Sequence, residues 1–450
     1  MVDVGLAEKL NELASKLLDS PGNHPRDAEH FLDANVGHSV YVARWRNAVG
    51  EARKLPGLDR FLAPKTFSEI QSAIDTLGGP VIYFNIGRFS SDALCILPNL
   101  GEVVQIPLPH LRLQEVQAIS NWFGHLLDGT GNTEVQLNSP RVGKLVKDPK
   151  RSRPKSVKQY VSYPTVLKYL WRNVVKPILD GLALLSQSAE DLPRIWWCPS
   201  SVLEVFPLHA AGLYESGGGD NVMNYVVSSY IPSYSLISHV TRIEAPAPNP
   251  RFMAVGNPTG CRLPGTEWEL EIIRKHLIDA GPITELNGAN ATPDAVKKGL
   301  QTATWAHFAC HGVQVQTETI NRPGPRNALI LANHTRLTLI EIAKLRLPHA
   351  QFAFLSACET AQHRNICAGE SVHLAAGLLV AGFRSVVGTM WRISDEDTPY
   401  LANRFYQKMV EGNKVPDYKR SAYALHDAVQ ALRKHNPNPR IWAPFLHYGA

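Results

Sequence analysis

A cysteine and a histidine stand at the ends of two apolar segments of this 450-residue chain. Cys358 ends the segment AQFAFLSAC, and His311 ends the upstream segment TWAHFACH. The unperturbed pKa of a cysteine thiol is about 8.5, so it needs a base or a cationic partner to become a thiolate near neutral pH. A facing histidine supplies that partner and can then donate the proton to a leaving amine. The two residues are therefore candidates for a nucleophilic Cys/His dyad.

The backbone beside these residues offers a candidate oxyanion hole. Gly312 follows His311, and because glycine has no side chain its N–H is open to close approach. Together with the N–H of Cys358, it would donate to the oxyanion of a tetrahedral intermediate.

Two other interpretations of Cys358 stay open on the residues alone. Free cysteine is among the most buried residue types, and a histidine at a strand end is often only hydrogen-bonded. A zinc site would use Cys358, His363 and Cys367, with Cys310 or His311 as the fourth ligand. The C-x4-H-x3-C spacing is not that of a standard finger and lacks a close second pair. We therefore expect no metal and no cofactor.

The elements that would position the dyad belong to an alternating pattern. From residue 250 onward, apolar strands alternate with helices, which is typical of a mainly parallel sheet covered on both faces. Reactive groups gather at the carboxyl ends of the strands in such a sheet. If the strands that carry His311 and Cys358 are neighbours, the two residues face each other. The longest apolar run, His373–Phe383, is too short to span a bilayer and predicts a buried helix.

The chain is expected to have three regions. Residues 1–75 have helical leucine spacing, residues 76–250 begin with β-rich runs, and residues 251–450 carry the alternating pattern. The segment 141–158 holds eight Lys or Arg and one Asp, so its formal charge is +7. The formal net charge of the whole chain is +6, so all other residues together sum to −1. A chain with this distribution does not resemble a globally basic nucleic-acid binder. Segment 141–158 predicts an exposed, mobile loop, which is a candidate for self-processing, a solvated linker or a nuclear address.

The six cysteines are scattered through a large chain, and charges occupy the N-terminal residues where a signal peptide would be apolar. A disulfide framework is therefore not expected, and a reducing compartment is favoured. We expect the cytoplasm, with the nucleus as the alternative, and no membrane partner.

Several blocks together resemble the CHAT family of caspase-like cysteine peptidase domains, which often follow tetratricopeptide repeats. These blocks are HFACHG, FLSACETA, GESVHLAAGLLVAGFRSVVGTMWRISDEDTP and the closing WAPFLHYGA, with WWCPSSVLEVFPLHAAGLY upstream. The match runs over roughly residues 76–450, and the segments before residue 100 resemble fungal members in particular. The resemblance implies an α/β, caspase-haemoglobinase-like three-layer fold with a mainly parallel central sheet, preceded by N-terminal helices that are a candidate remnant of a repeat array. His311 and Cys358 fall on the dyad positions.

The resemblance also bears on specificity. Caspases carry Q-A-C-x-G at the nucleophile, whereas this chain has SACET, which is closer to CHAT domains and separases and makes caspase-like Asp specificity doubtful. The stretch GTMWRISDEDTP resembles the separase segment in which an aspartate lines the pocket for a P1 arginine. Asp395 is the matching position, and Asp397 and Glu359 are the alternatives. The same acidic residues would also suit the first turn of a helix.

Two functions remain in view. The favoured one is a cysteine endopeptidase that cleaves protein substrates after a basic residue. The alternative is a non-catalytic module that scaffolds signalling partners on the same fold. Retention of both dyad residues favours the enzyme. The N-terminal helices are a candidate surface for regulatory protein partners, and no specific nucleic-acid partner is expected.

Overall fold

A computed structural model describes most of the chain in two units. The first unit comprises the described residues up to 66, and the second comprises the described residues from 67 to 450. The described residues are 4–19, 28–127, 162–185, 192–214, 219–241, 249–259, 265–314, 327–356, 372–391, 393, 397–412 and 415–450. The basic segment 141–158 lies outside them.

The first unit is a pair of helices, α1 (Val4–Asp19) and α2 (Ala28–Ala52). Leucines at helical spacing on α1, including Leu10 and Leu13, pack with Ala48 of α2 in a small hydrophobic core. The helical prediction for this region is therefore confirmed, and its core is separate from the main one. Among the described helices of the whole chain, none is long and apolar enough to cross a membrane.

The second unit is built on strands that match the apolar runs of the sequence. In chain order these are β1 (Val81–Ile86), β2 (Ser91–Ile96), β3 (Val103–Pro107), β4 (Arg194–Cys198), β5 (Val227–Tyr230), β6 (Phe252–Pro258), β7 (Ile283–Gly288), β8 (Trp305–Ala309), β9 (His311–Gln314), β10 (Asn327–Ile330), β11 (Arg336–Thr338), β12 (Phe352–Leu355), β13 (Ser385–Thr389) and β14 (Phe445–Gly449).

Within the described residues, eleven of these strands form one sheet in the order β3-β2-β1-β4-β5-β14-β13-β12-β8-β6-β7. The strands β7, β6, β8, β12 and β13 are parallel to one another. The strands β1, β4, β5 and β14 are also parallel to one another, and β14 meets β13 antiparallel. The sheet thus has two groups of parallel strands that run in opposite directions and meet at β13 and β14. At one edge β2 is antiparallel to β1, and β3 is antiparallel to β2.

Helices precede, separate and follow these strands along the chain of the second unit. They are α3 (Phe67–Leu77), α4 (Leu113–Leu127), α5 (Tyr163–Leu170), α6 (Lys176–Gly181), α7 (Tyr234–Val240), α8 (Gly265–Leu277), α9 (Pro293–Thr302), α10 (Leu339–Ala343), α11 (Val372–Ala381), α12 (Asp397–Val410), α13 (Ser421–His435) and α14 (Pro439–Trp442), with a π-helical turn, Trp171–Val175, between α5 and α6.

Helices cover both faces of the sheet. Gly256 of β6 approaches Leu270 of α8 so closely that a Cβ would lie 2.7 Å from it. Gly299 of α9 approaches Met253 of the same strand, where a Cβ would lie 2.6 Å from the sulfur. Positions 253 and 256 point to opposite faces of a strand, so α8 and α9 lie on opposite sides. The expected three-layer α/β fold with a mainly parallel sheet is confirmed.

Local signals also match the structure. Thr292 caps α9 through its hydroxyl, which accepts from the N–H of Ala295 at 3.2 Å, and Pro293 is the first helical residue. The apolar run His373–Phe383 forms the helix α11, as predicted. The sequence did not predict β7, β11 or β14.

Two histidines are buried in the half that contains β1, β4, β5 and β14. His209 has Tyr230 Oη at 2.8 Å from Nδ1 and the Ala443 carbonyl at 3.0 Å from Nε2. Burial lowers the pKa of His209 to about 4. Burial and the nearby Arg194 guanidinium lower the pKa of His447 well below its usual value. Both histidines are therefore neutral in the folded protein near pH 7.

The depressed pKa values predict acid destabilisation. Between about pH 6.5 and pH 4 the unfolded chain binds protons that folded His209 does not, so stability falls as the pH falls through this window. At pH 4 this histidine alone lowers the free energy of unfolding by about 3 kcal/mol relative to pH 7. Urea unfolding of wild type and His209→Gln between pH 7 and pH 4.5 measures this effect, with exposed His110→Gln as the control. If the free energy of unfolding changes equally steeply with pH in wild type and in His209→Gln, the prediction is wrong.

Candidate active site

The two strands that carry the candidate dyad are neighbours. β12 pairs with β8 in parallel, with Phe352 opposite Trp305 and Leu355 opposite Phe308. Beyond the last paired position, the N–H of Ser356 donates to the Phe308 carbonyl at 2.9 Å. The carboxyl ends of β8 and β12 therefore lie side by side at one edge of the sheet, as expected if the two segments act together.

His311 lies where the chain leaves the central sheet. β8 ends at Ala309, the buried Cys310 follows, and His311 begins β9. β9 pairs antiparallel with β10, with His311 opposite Ile330 and Gly312 opposite Leu329. The segment predicted as one strand from residue 304 to 312 is thus two strands in two sheets. This change of sheet brings a partly buried His311 to the edge at which β8 ends.

Ser356 is the last described residue before Cys358, and its N–H bond to the Phe308 carbonyl holds it at the end of β12. Ser356 is buried, and Cys358 follows two residues later. Cys358 and Glu359 lie outside the described residues, as do the other proposed zinc ligands, His363 and Cys367. That Cys358 faces His311 stays a prediction. The oxyanion hole and the alternative zinc site also stay predictions.

Other cysteines of the described chain are poor nucleophiles. Burial raises the pKa of Cys95 to about 12, and burial likewise raises the pKa of Cys198 to about 12. Both thiols therefore stay protonated near neutral pH. Cys310 is buried as well. In the part of the chain that the structure describes, no group of three or more His, Cys, Asp or Glu side chains could hold a metal ion.

Two of the proposed P1 acids, Asp395 and Asp397, follow β13 in the sequence, and β13 is parallel to β12 and ends at the same edge. Trp391 anchors the connection that leaves β13, because its indole donates to the Arg440 carbonyl at 3.0 Å and its ring meets Phe123 edge-on at 5.6 Å. Asp397 is partly buried and begins α12. Asp395 lies outside the described residues, so its place in a pocket stays a prediction.

A buried polar network lies beneath this edge, and the sequence did not reveal it. Ser356 donates to Glu269 Oε1 at 3.0 Å, and Glu269 Oε2 is 2.9 Å from His307 Nε2. His307 Nδ1 is 2.9 Å from the Tyr406 hydroxyl. All four side chains are buried. The network joins the end of β12 to β8 and to both helices above them, α8 and α12.

One set of protons satisfies every atom of the network. Burial raises the pKa of Tyr406 well above its usual value, with a contribution from the nearby Glu269, so this phenol keeps its proton. With the His307 proton on Nε2, Tyr406 donates to Nδ1 and Nε2–H donates to Glu269. Glu269 then accepts from Ser356 and from His307, which belong to two different strands. The available sequence signal was a histidine inside the apolar run of β8.

The chain is similar to several solved structures at low identity. A crystal structure of the Saccharomyces cerevisiae separase–securin complex matches with 14% identity and a TM-score of 0.49 over 98% of this chain and 35% of that chain. This chain therefore spans about a third of that separase chain. A complex of the Porphyromonas gingivalis RgpB pro- and mature domains matches with 9% identity and a TM-score of 0.41 over 75% of both chains. The Arg-specific cysteine proteinase gingipain R matches with 9% identity and a TM-score of 0.41 over 64% of this chain and 67% of that one.

A search of curated proteins gives no significant match. A family model described as the CHAT domain matches residues 165–450, which is well over half of the chain. The matched range begins within α5 and includes the strands that carry His311 and Cys358.

Proposed function

The chain belongs to the CHAT domain family, and from that premise we propose that it is a cysteine endopeptidase with Cys358 as nucleophile and His311 as general base. The observation that carries the proposal is the parallel pairing of β8 with β12. This pairing ends in the bond from the Ser356 N–H to the Phe308 carbonyl. Both candidate residues follow these strand ends within three residues.

The chemistry would proceed by acyl transfer. His311 takes the thiol proton of Cys358, and the thiolate attacks the carbonyl carbon of the scissile peptide bond. The N–H groups of Gly312 and Cys358 would hold the oxyanion of the tetrahedral intermediate. His311 then returns the proton to the leaving amine, and the C–N bond breaks to leave a thioester. Water, deprotonated by His311, hydrolyses the thioester and regenerates the thiol.

The proposed substrate is a protein segment with arginine at P1. Asp395 is the proposed partner of the guanidinium, and Asp397 and Glu359 are the alternatives. Support comes from the sequence order, in which Asp395 and Asp397 follow β13, and from β13 itself, which ends at the edge where β8 and β12 end and is followed by the anchored Trp391. Regulatory proteins that bind the N-terminal helices are proposed partners as well.

Turnover of fluorogenic peptides by the purified full chain tests the proposal. We expect cleavage after arginine, slower cleavage after lysine and little after aspartate. Activity should survive a chelator, because a dyad needs no metal, whereas loss of activity together with unfolding would revive the zinc site. A well-folded chain that cleaves no basic peptide and no protein would instead favour the scaffold.

A further inference from the structure

Glu269 joins four elements at the edge where the dyad strands end. The carboxylate belongs to α8, receives the Ser356 hydroxyl from the end of β12, and contacts the His307 ring from β8. Through His307 it also reaches Tyr406 of α12. Each polar atom of these four side chains has a hydrogen-bond partner within the network.

The burial of this carboxylate calls for a reason beyond stability. Glu269 is 4% exposed, and no Lys or Arg accompanies it in the network. An apolar side chain of similar volume would fill such a site without the penalty of removing a polar group from water. What a buried, fully satisfied network adds is a single fixed arrangement of the groups that it connects.

The positions of its partners tell which arrangement is fixed. Ser356 precedes Cys358 by two residues, and His307 precedes His311 by four residues on the strand that leads to it. A shift of β12 along β8 would move the nucleophile relative to the base. The Glu269 carboxylate opposes such a shift, because it holds one hydrogen bond to each strand.

We propose that Glu269 is a positioning residue that sets the spacing between Cys358 and His311 through Ser356 and His307. The proposal rests on the proposed function. Glu269 would neither touch the substrate nor exchange a proton with it. Its role is to hold both strand ends so that the thiol and the imidazole stay within reach.

Variants of the network should separate catalysis from binding. Glu269→Gln should lower kcat about a hundredfold, since a shift of about 1 Å in reacting groups has that effect. Ser356→Ala, which cuts only the link to β12, should lower kcat about tenfold. KM should change little in both, because the proposed P1 pocket belongs to a different connection. If Glu269→Gln does not fold, Ser356→Ala and Tyr406→Phe test the positioning role in its place.

The chain offers a matched control in its other half. Tyr230 is buried and its hydroxyl lies 2.8 Å from Nδ1 of His209, just as the Tyr406 hydroxyl lies 2.9 Å from Nδ1 of His307. Tyr230→Phe and Tyr406→Phe each remove a buried hydroxyl that contacts Nδ1 of a histidine, and Tyr230→Phe also removes the acceptor of the His209 N–H at 3.1 Å. Both should lower Tm, but only Tyr406→Phe should lower kcat.

The experiment measures kcat, KM, Tm and the rate at which iodoacetamide alkylates Cys358, followed by peptide mass. Alkylation needs no substrate, so it tests the positioning of the thiol even if the chain is not a peptidase. We expect slower alkylation of Cys358 in Glu269→Gln and Ser356→Ala than in wild type and Tyr230→Phe. Wild-type kcat and alkylation in folded Ser356→Ala, or an equal loss in Tyr230→Phe, would overturn the positioning role. A wild type that alkylates but cleaves nothing would overturn the proposed function alone, and one that does neither would overturn both.

Discussion

Replacement of Cys358 by alanine is expected to abolish peptidase activity, and replacement of His311 by alanine should lower kcat by a factor of about a hundred or more. The first change removes the covalent route, and the second removes the base that generates the thiolate. Both residues follow strand ends in the sequence, so we expect only a small loss of stability from either change. Turnover of basic fluorogenic peptides, with a thermal melt of each variant, measures the two effects.

A matched control is a cysteine that the structure buries. Cys95→Ala removes a thiol whose pKa burial raises to about 12, so it should lower Tm and leave kcat unchanged. The assignment is wrong if a folded Cys358→Ala protein retains wild-type turnover, or if Cys95→Ala is the variant that loses it.

The second large effect is expected at Asp395. Asparagine keeps the shape of this side chain and removes its charge, so Asp395→Asn should raise the barrier for P1-arginine substrates by a few kcal/mol, roughly the effect of breaking a buried charged pair. The guanidinium fork suits a carboxylate better than an ammonium does, so wild type should prefer arginine over lysine. A library of P1 residues, profiled on wild type and Asp395→Asn, measures the change.

Two comparisons make this prediction specific. Asp397→Asn and Glu359→Gln should retain the arginine preference, and a small neutral alkylating agent should label Cys358 nearly as fast in Asp395→Asn as in wild type. A preference of the wild-type protein for aspartate at P1 would contradict the assignment of Asp395 as the partner of a P1 arginine. An unchanged arginine preference in Asp395→Asn would move the role to Asp397 or Glu359.

The sequence predicted the strands that carry the dyad because their residues are apolar on both faces. Phe352 and Phe354 of β12 are fully buried, as are Trp305 and Phe308 of β8, which is the signature of a central parallel strand. Parallel order then follows from the intervening helices, so the shared edge could be predicted.

The sequence could not reveal the network around Glu269, because two neighbouring residues of α8 have exposures opposite to their hydropathy. Trp268 is 62% exposed, whereas Glu269 is 4% exposed. Hydropathy alone places the tryptophan inside and the glutamate outside. Only the partners supplied by β8 and β12 reverse this assignment, and those partners are distant in sequence.

The sequence also did not reveal that β14 is a central strand antiparallel to β13, because its buried polar residue depends on partners that are distant in sequence. This strand holds His447, which is fully buried because Arg194, Ser385 and Ser421 come together around its ring. A polar residue in a short terminal segment does not indicate a central strand until these partners are known.

Covalent capture by an arginyl chloromethyl ketone tests the central claim most directly. The thiolate of Cys358 would displace chloride from the reagent, with the arginine side chain in the P1 pocket. We expect one adduct per chain, mapped by peptide mass to Cys358, absent in Cys358→Ala and slowed in His311→Ala. An aspartyl reagent of the same length should react far more slowly. Labelling of another cysteine, or equal rates for the arginyl and aspartyl reagents, would contradict an arginine-directed Cys/His peptidase.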